Sequence, residues 1–181
     1  MHALETKLGY AFRSPALLEN ALYHSSYANE HRGAGISSNE RLEFLGDAVL
    51  GFVTAEYLYA KHPDLPEGDL TRIRAALVCE ESLHEVAQYL GLGEYLRLGR
   101  GEELGGGRRR PSILADATES VFAAVYLDGG MDAARDLIHR VLLDKEQEEQ
   151  VEERRRDYKT ELQELVQRKP DQVLRYEMTG T

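Results

Sequence analysis

Carboxylates at helical spacing are the residues of this chain whose types could do chemistry. Asn39-Glu40-Arg41-Leu42-Glu43-Phe44-Leu45-Gly46-Asp47 sets Glu40, Glu43 and Asp47 at i, i+3 and i+7, which share one face of a helix. Ser112-Ile113-Leu114-Ala115-Asp116-Ala117-Thr118-Glu119 sets Asp116 and Glu119 on a second face, with Ser112 and Ala123. Both stretches are otherwise rich in apolar residues. Acids in such a setting are costly to bury unless something positive neutralises them. If the two faces meet, their carboxylates converge in one pocket, and they cannot all stay ionised and unpaired. A hard divalent cation resolves that conflict. Carboxylate oxygens suit Mg²⁺ or Mn²⁺, and the chain has no Cys/His set of the zinc-binding kind. Such an ion, with water in its open positions, is equipped for phosphodiester hydrolysis.

Each acid also has a plainer reading. Glu40 can be a capping-box acid, with Ser37 capping a helix that begins near Ser38. Glu43 or Asp47 alone would be a solvated helix acid, and Asp116 with Glu119 is one i, i+3 pair. Small residues beside the acids, Gly51 on the first face and Ala123 on the second, would let the two helices approach closely.

Most of the chain has helical periodicity. Leu4, Leu8, Leu17, Leu18, Ala21 and Leu22 suit two short amphipathic helices, interrupted around Arg13-Ser14-Pro15. His31 to Ser38 is a loop, and the first acidic helix runs from it to about Lys61. Pro66-Glu67-Gly68-Asp69 starts another helix through Leu70, Ile73, Ala76 and Leu77. Ser82 is placed to cap the next, through Leu90. Gly91 to Arg110 is glycine-rich loop. Pro111 opens the second acidic helix, Asp128-Gly129-Gly130 breaks it, and a further helix covers about Met131 to Glu149. Val173 to Thr179 alternates and is the one expected strand.

The 181 residues carry 22 basic and 32 acidic side chains, a net charge of −10. That alone argues against a nucleic-acid partner. Residues 151–181 are balanced, however, so the excess lies in residues 1–150, where bound divalent ions would cancel part of it. One cysteine, Cys79, forbids an internal disulfide, and its small apolar character suits a buried site. No apolar run approaches a membrane span, and the N-terminus does not read as a secretory signal. A cytoplasmic, membrane-independent protein is expected.

The nine residues Asn39 to Asp47 resemble the signature of bacterial ribonuclease III. Leu8-Gly9-Tyr10-Ala11-Phe12, His24 to Glu30, Glu67 to Leu70, Gly101 to Leu104, Ser112 to Asp116 and Val125 to Gly130 resemble further segments of that family, in order. The resemblance implies an all-α endonuclease domain over residues 1–150. It implies Glu43, Asp47, Asp116 and Glu119 as metal-binding catalytic carboxylates, with Glu119 the acid most directly needed for cleavage. Glu40 and Glu67 become accessory acids. Mg²⁺ is the implied cofactor, Mn²⁺ a substitute, and double-stranded RNA the substrate. Two staggered cuts leaving 5′-phosphate and 3′-hydroxyl ends are implied, in the maturation of rRNA and mRNA precursors. A homodimer is implied too, with Phe44 inserted into a socket of the partner subunit, although Phe44 between Leu42 and Leu45 also reads as core. Residues 151–156 read as a linker. Asp157 to Glu164 is similar to the start of an α/β double-stranded-RNA-binding domain, so residues 157–181 hold a truncated start of one, with Thr160, Gln163 and Glu164 as its expected RNA contacts. Arg108, Arg109 and Arg110, just ahead of the second acidic helix, read equally as a phosphate-contacting loop or a solvated one. His24 reads as a packed, hydrogen-bonded histidine. A family-like scaffold without activity is the alternative from another class. It would lack these acids, which the chain keeps.

Overall fold

The computed structural model describes residues 1–144, and the first compact unit is Met1–Leu143. The expected second RNA-binding segment, its strand and Thr160, Gln163 and Glu164 lie outside the described residues. Within them the fold is all-α, with one isolated bridge between Tyr23 and Arg97 in place of any sheet.

The helix α8 (Pro111–Ile138) is the axis of the fold. Ile113, Leu114, Ala117, Val121, Phe122, Ala124 and Val125 are all buried, on several sides of the helix. A helix apolar nearly all round must be enclosed by others. Around it pack α2 (Pro15–Ala21), α4 (Glu40–Lys61) and α6 (Glu80–Leu90). The α6 helix buries Leu83, Val86, Ala87 and Leu90, the i, i+3, i+4, i+7 stripe of a surface helix. In contrast α5 (Glu67–Leu77), which packs on α4, has no fully buried residue.

Gly130 (φ 84°, ψ −178°) interrupts α8, so the break falls at the expected Asp128-Gly129-Gly130. Asp128 is buried there and accepts from Tyr10 Oη at 2.8 Å, the Arg13 amide at 2.8 Å and the Ser14 amide at 2.9 Å. Burial raises its pKa, but these bonds outweigh burial and hold it below the usual carboxylate range. The α1 (His2–Leu8) to α2 connection is thereby tied to the end of the acidic helix.

Three local expectations are corrected. The Ser37 cap does not form: α4 begins at Glu40, and Asn39 precedes it with no side-chain cap. The Asn39 amide is instead buried and donates to the Ala21 carbonyl at 3.2 Å. Ser82 lies inside the first turn of α6, which starts after Cys79. Cys79 itself is half-buried, 3.3 Å from Ser82 Oγ. A helix not anticipated, α3 (Ser25–Glu30), is held by contacts to the α7 (Arg100–Leu104) region. Gly99 N–H donates to Ser26 Oγ and Arg100 N–H to Glu30 Oε1, each at 2.8 Å.

Candidate metal centre

The two acidic helices do meet, and a glycine brings them together. A Cβ at Gly46 would overlap the backbone carbonyl of Glu119, deep inside van der Waals contact. Gly51, the small residue expected to serve here, has no such neighbour. Gly in a helix interior costs about 1 kcal/mol relative to Ala, so its place between Glu43 and Asp47 was the available signal.

This contact line sets the burial of the acids. Successive residues turn about 100° around a helix, so Glu43 lies about 60° from Gly46, Asp47 about 100° and Glu40 about 120°, all on one side. Glu43 is accordingly half-buried, whereas Asp47 and Glu40 are exposed. Glu43, Asp116 and Glu119 offer carboxylate oxygens that all lie within 4.8 Å of one another. Ligands on opposite sides of one Mg²⁺ lie about 4.2 Å apart, the same scale. The donor set is all oxygen and anionic, so it fits a hard divalent ion and no soft one.

The electrostatics ask for positive charge. Burial, then the charges of Asp47, Glu43 and Asp116, push Glu119 up to about 7. Burial, then Asp116, Glu40 and Asp47, raise Glu43. Burial also raises Asp116, which Glu80 reinforces and His24 opposes. Asp47 stands outside the close cluster but acts on Glu119 more than any other charge does.

The accessory positions separate. Glu40 accepts from Ser38 Oγ at 2.6 Å and its charge reaches Glu43. Glu67, in the first turn of α5, accepts from Thr71 Oγ1 at 2.8 Å and is absent from the charges acting on the cluster. Phe44 is 81% exposed, so the core reading is corrected; α4 also exposes Phe52 and Tyr59.

The three arginines differ from one another. Arg108 is a strut. Its Nε and Nη2 donate to the Glu103 carboxylate at 2.6 Å, and its Nη1 to the Gly93 and Leu96 carbonyls at 2.9 and 2.8 Å. Four of the five guanidinium N–H donors are thereby committed within the fold. Arg110 is ion-paired with Glu102. Arg109 is exposed, in no ion pair among the described residues, beside a cavity of about 470 Å³ that Gln88, Glu94 and Leu114 also line.

Sequence reasoning missed one buried connection behind the acids. Ser120 Oγ donates to the Asp116 carbonyl at 2.8 Å and reaches the Asn39 carbonyl at 3.3 Å. The Asn39 backbone N–H in turn donates to the Tyr23 carbonyl at 2.8 Å. Only the position of Asn39 just ahead of an acidic helix hinted at this.

The pattern of the family described as Ribonuclease-III-like matches residues 14–146. Ribonuclease 3 of Listeria welshimeri is 47% identical over 181 residues, which cover 98% of this chain and 77% of that relative. Ribonuclease 3 of Desulforamulus reducens is 50% identical over 173 residues, 96% of this chain and 70% of that one. The solved nuclease domain of ribonuclease III from Campylobacter jejuni, described as flexible in a region involved in dimer formation, superposes with a TM-score of 0.72. It is 42% identical and covers 77% of this chain and 93% of that domain.

Proposed function

The chain belongs to the ribonuclease III family, and from that premise we propose that this ribonuclease hydrolyses double-stranded RNA in a Mg²⁺-dependent reaction, with Mn²⁺ able to substitute. The observation that carries the reading is the convergence of Glu43, Asp116 and Glu119 from two helices onto one point. Bound there, the ion would supply a nucleophilic water at neutral pH and charge stabilisation at the phosphate and the leaving oxygen. The carboxylates of Glu43, Asp116 and Glu119 would hold it, and Asp47 would close its exposed side. Gly46 holds the backbone that carries Glu119 against α4, which fixes the distance between the two halves of the site. The protein forms no covalent bond to substrate in this scheme. Cuts would be staggered and leave 5′-phosphate and 3′-hydroxyl ends, and the precursors of rRNA and mRNA are the proposed targets in the cytoplasm. No helix among the described residues is long and apolar enough to cross a membrane. Recognition would rest on A-form shape, 2′-hydroxyls and phosphates, with Arg109 the best placed of the three arginines. Residues 151–156 are read as a linker and 157–181 as the start of an RNA-binding domain that supplies Thr160, Gln163 and Glu164.

A perfectly paired RNA duplex of about three helical turns is the test substrate. Cleavage should require Mg²⁺ or Mn²⁺, stop in excess chelator and spare the equivalent DNA duplex. Undiminished cutting in excess chelator would refute the metal mechanism.

The exposed Phe44 supports a homodimer. Burying a Phe side chain stabilises by roughly 1.5–3 kcal/mol, and a two-fold interface counts it twice. Phe44→Ala should therefore raise the dimer dissociation constant by at least about 100-fold, as read by analytical ultracentrifugation. An unchanged constant would remove Phe44 from the interface.

A further inference from the structure

The two histidines that flank α3 are fixed in opposite roles. His24 caps the helix: its Nδ1 accepts from the Ser26 amide at 3.3 Å. His31 closes the other end, and its Nδ1 lies 2.8 Å from the Tyr27 carbonyl. A carbonyl only accepts, so Nδ1 carries the proton, and in the neutral ring Nε2 carries the lone pair. The His31 ring also stacks on Tyr27, with centroids 4.1 Å apart, and Tyr27 stands on Tyr23 at 5.5 Å. A stack and a hydrogen bond thus hold a half-buried imidazole in one orientation. Among the described residues nothing donates to its Nε2.

The chain ahead of α7 runs beside this ladder. The His24 amide donates to the Arg97 carbonyl at 3.1 Å, and the Arg97 amide to the Leu22 carbonyl at 2.9 Å. The Arg100 amide donates to Glu30 Oε1 at 2.8 Å. Arg97 is therefore pinned at the Tyr23 end of the ladder, and Arg100 beside Glu30, next to His31. Both arginines are exposed, and neither guanidinium has an ion pair or hydrogen bond among the described residues. The strip also starts at the acids. Asn39, just ahead of the helix that carries Glu40 and Glu43, donates its backbone N–H to the Tyr23 carbonyl at 2.8 Å.

Phosphates suit the two guanidiniums, but phosphate oxygens accept and cannot satisfy the Nε2 lone pair. The donor that an A-form duplex presents at every step is the ribose 2′-hydroxyl, displayed along its wide, shallow minor groove. We propose that Arg97, Arg100 and His31 form an RNA-contacting strip beside the metal centre, in which His31 Nε2 accepts from a ribose 2′-hydroxyl and the arginines bind backbone phosphates. This rests on the reading of duplex RNA as the substrate. It deepens that reading by assigning a residue that tells RNA from DNA.

His31→Phe keeps a ring on Tyr27 and loses the acceptor. His31→Asn keeps an N–H for the Tyr27 carbonyl and also has nothing at Nε2, so it guards against a folding defect in the first. Filter binding of the full chain in Ca²⁺ is read on RNA duplexes that each carry 2′-deoxyribose at one position. At one position the replacement should weaken wild-type binding about 3- to 10-fold, the scale of one hydrogen bond. Both variants should bind the all-ribose duplex more weakly by that factor and ignore the replacement there. Arg97→Gln and Arg100→Gln should each reduce the slope of log affinity against log salt by about 1. A folded His31 variant that binds as wild type does, or that responds to every replacement as wild type does, would overturn the assignment of His31. Unchanged salt slopes in both arginine variants would overturn the strip. A wild-type chain that binds RNA and DNA duplexes equally would instead overturn the duplex-RNA reading, and this inference with it.

Discussion

Glu119→Gln should lower the cleavage rate on double-stranded RNA by at least about 10³-fold, the equivalent of about 4 kcal/mol of transition-state stabilisation lost with a metal ligand. Affinity for the duplex, measured by filter binding in Ca²⁺, should change little. The same substitution should stabilise the metal-free fold at pH 8. Glu119 has its pKa raised from 4.5 to about 7 by burial and by Asp47, Glu43 and Asp116. A carboxyl so raised binds its proton more tightly folded than unfolded. The folded state therefore loses stability as pH climbs from about 4.5 to about 7 and does not recover it above. Gln has no proton to lose, so this part of the pH slope vanishes. Thermal melts in chelator at pH 5 and pH 8 read it directly: wild type should fall over that interval by more than Glu119→Gln. A variant that melts below wild type at pH 8 would mean that the acid is held by partners and not strained by its neighbours. Saturating Mn²⁺ should reverse the ranking, because an ion bound to the folded state alone stabilises it.

Gly46→Ala should be the most damaging single-methyl change in the described chain. The added Cβ overlaps the Glu119 carbonyl, which is backbone and has no rotamer to retreat to. Separating α4 from α8 disturbs the most extensive helix pairing of the fold, where Leu42, Val49, Leu50 and Val53 meet α8. Overpacking a dense core costs typically 1–3 kcal/mol and sometimes more, and a rigid partner places this case at about 3 kcal/mol or above. Activity should fall further than stability does, because the displaced atom belongs to Glu119. Chemical denaturation gives the loss of stability, and the cleavage rate on double-stranded RNA gives the loss of activity. Gly51→Ala is the control: it has open space at its Cβ and trades a helix-weakening residue for a strong helix former. Equal behaviour of the two variants would dissolve the account of how the acidic helices are spaced.

The two acidic faces were legible because a helix imposes its period on whatever it carries: spacing put Glu40, Glu43 and Asp47 on one face and Asp116 and Glu119 on another, and the resemblance to the ribonuclease III family singled out Glu43, Asp47, Asp116 and Glu119. Their unequal depth was not legible. It depends on which line of α4 touches α8, and that line runs through Gly46, a residue whose meaning is the absence of a side chain. The break at Gly130 and the Pro111 start could be anticipated because glycine and proline act on the backbone locally. The helix α3 could not, since Ser25–Glu30 has no apolar stripe and owes its shape to the distant Gly99 and Arg100. Ser37 misled for a related reason. Its type suits a helix cap, yet α4 begins only at Glu40, and Asn39 just before it turns its side-chain amide to Ala21. Arg108 looked like its neighbours Arg109 and Arg110, and only the fold distinguishes a buttress from a free cation.

Crystals of the full chain soaked in Mn²⁺ and measured at the manganese absorption edge test the central claim most directly. An anomalous peak bound by Glu43, Asp116 and Glu119 together, with oxygen distances of about 2.1–2.2 Å, is the predicted result. A fully soaked crystal with no peak among those three carboxylates, or a peak held by other residues alone, would contradict it.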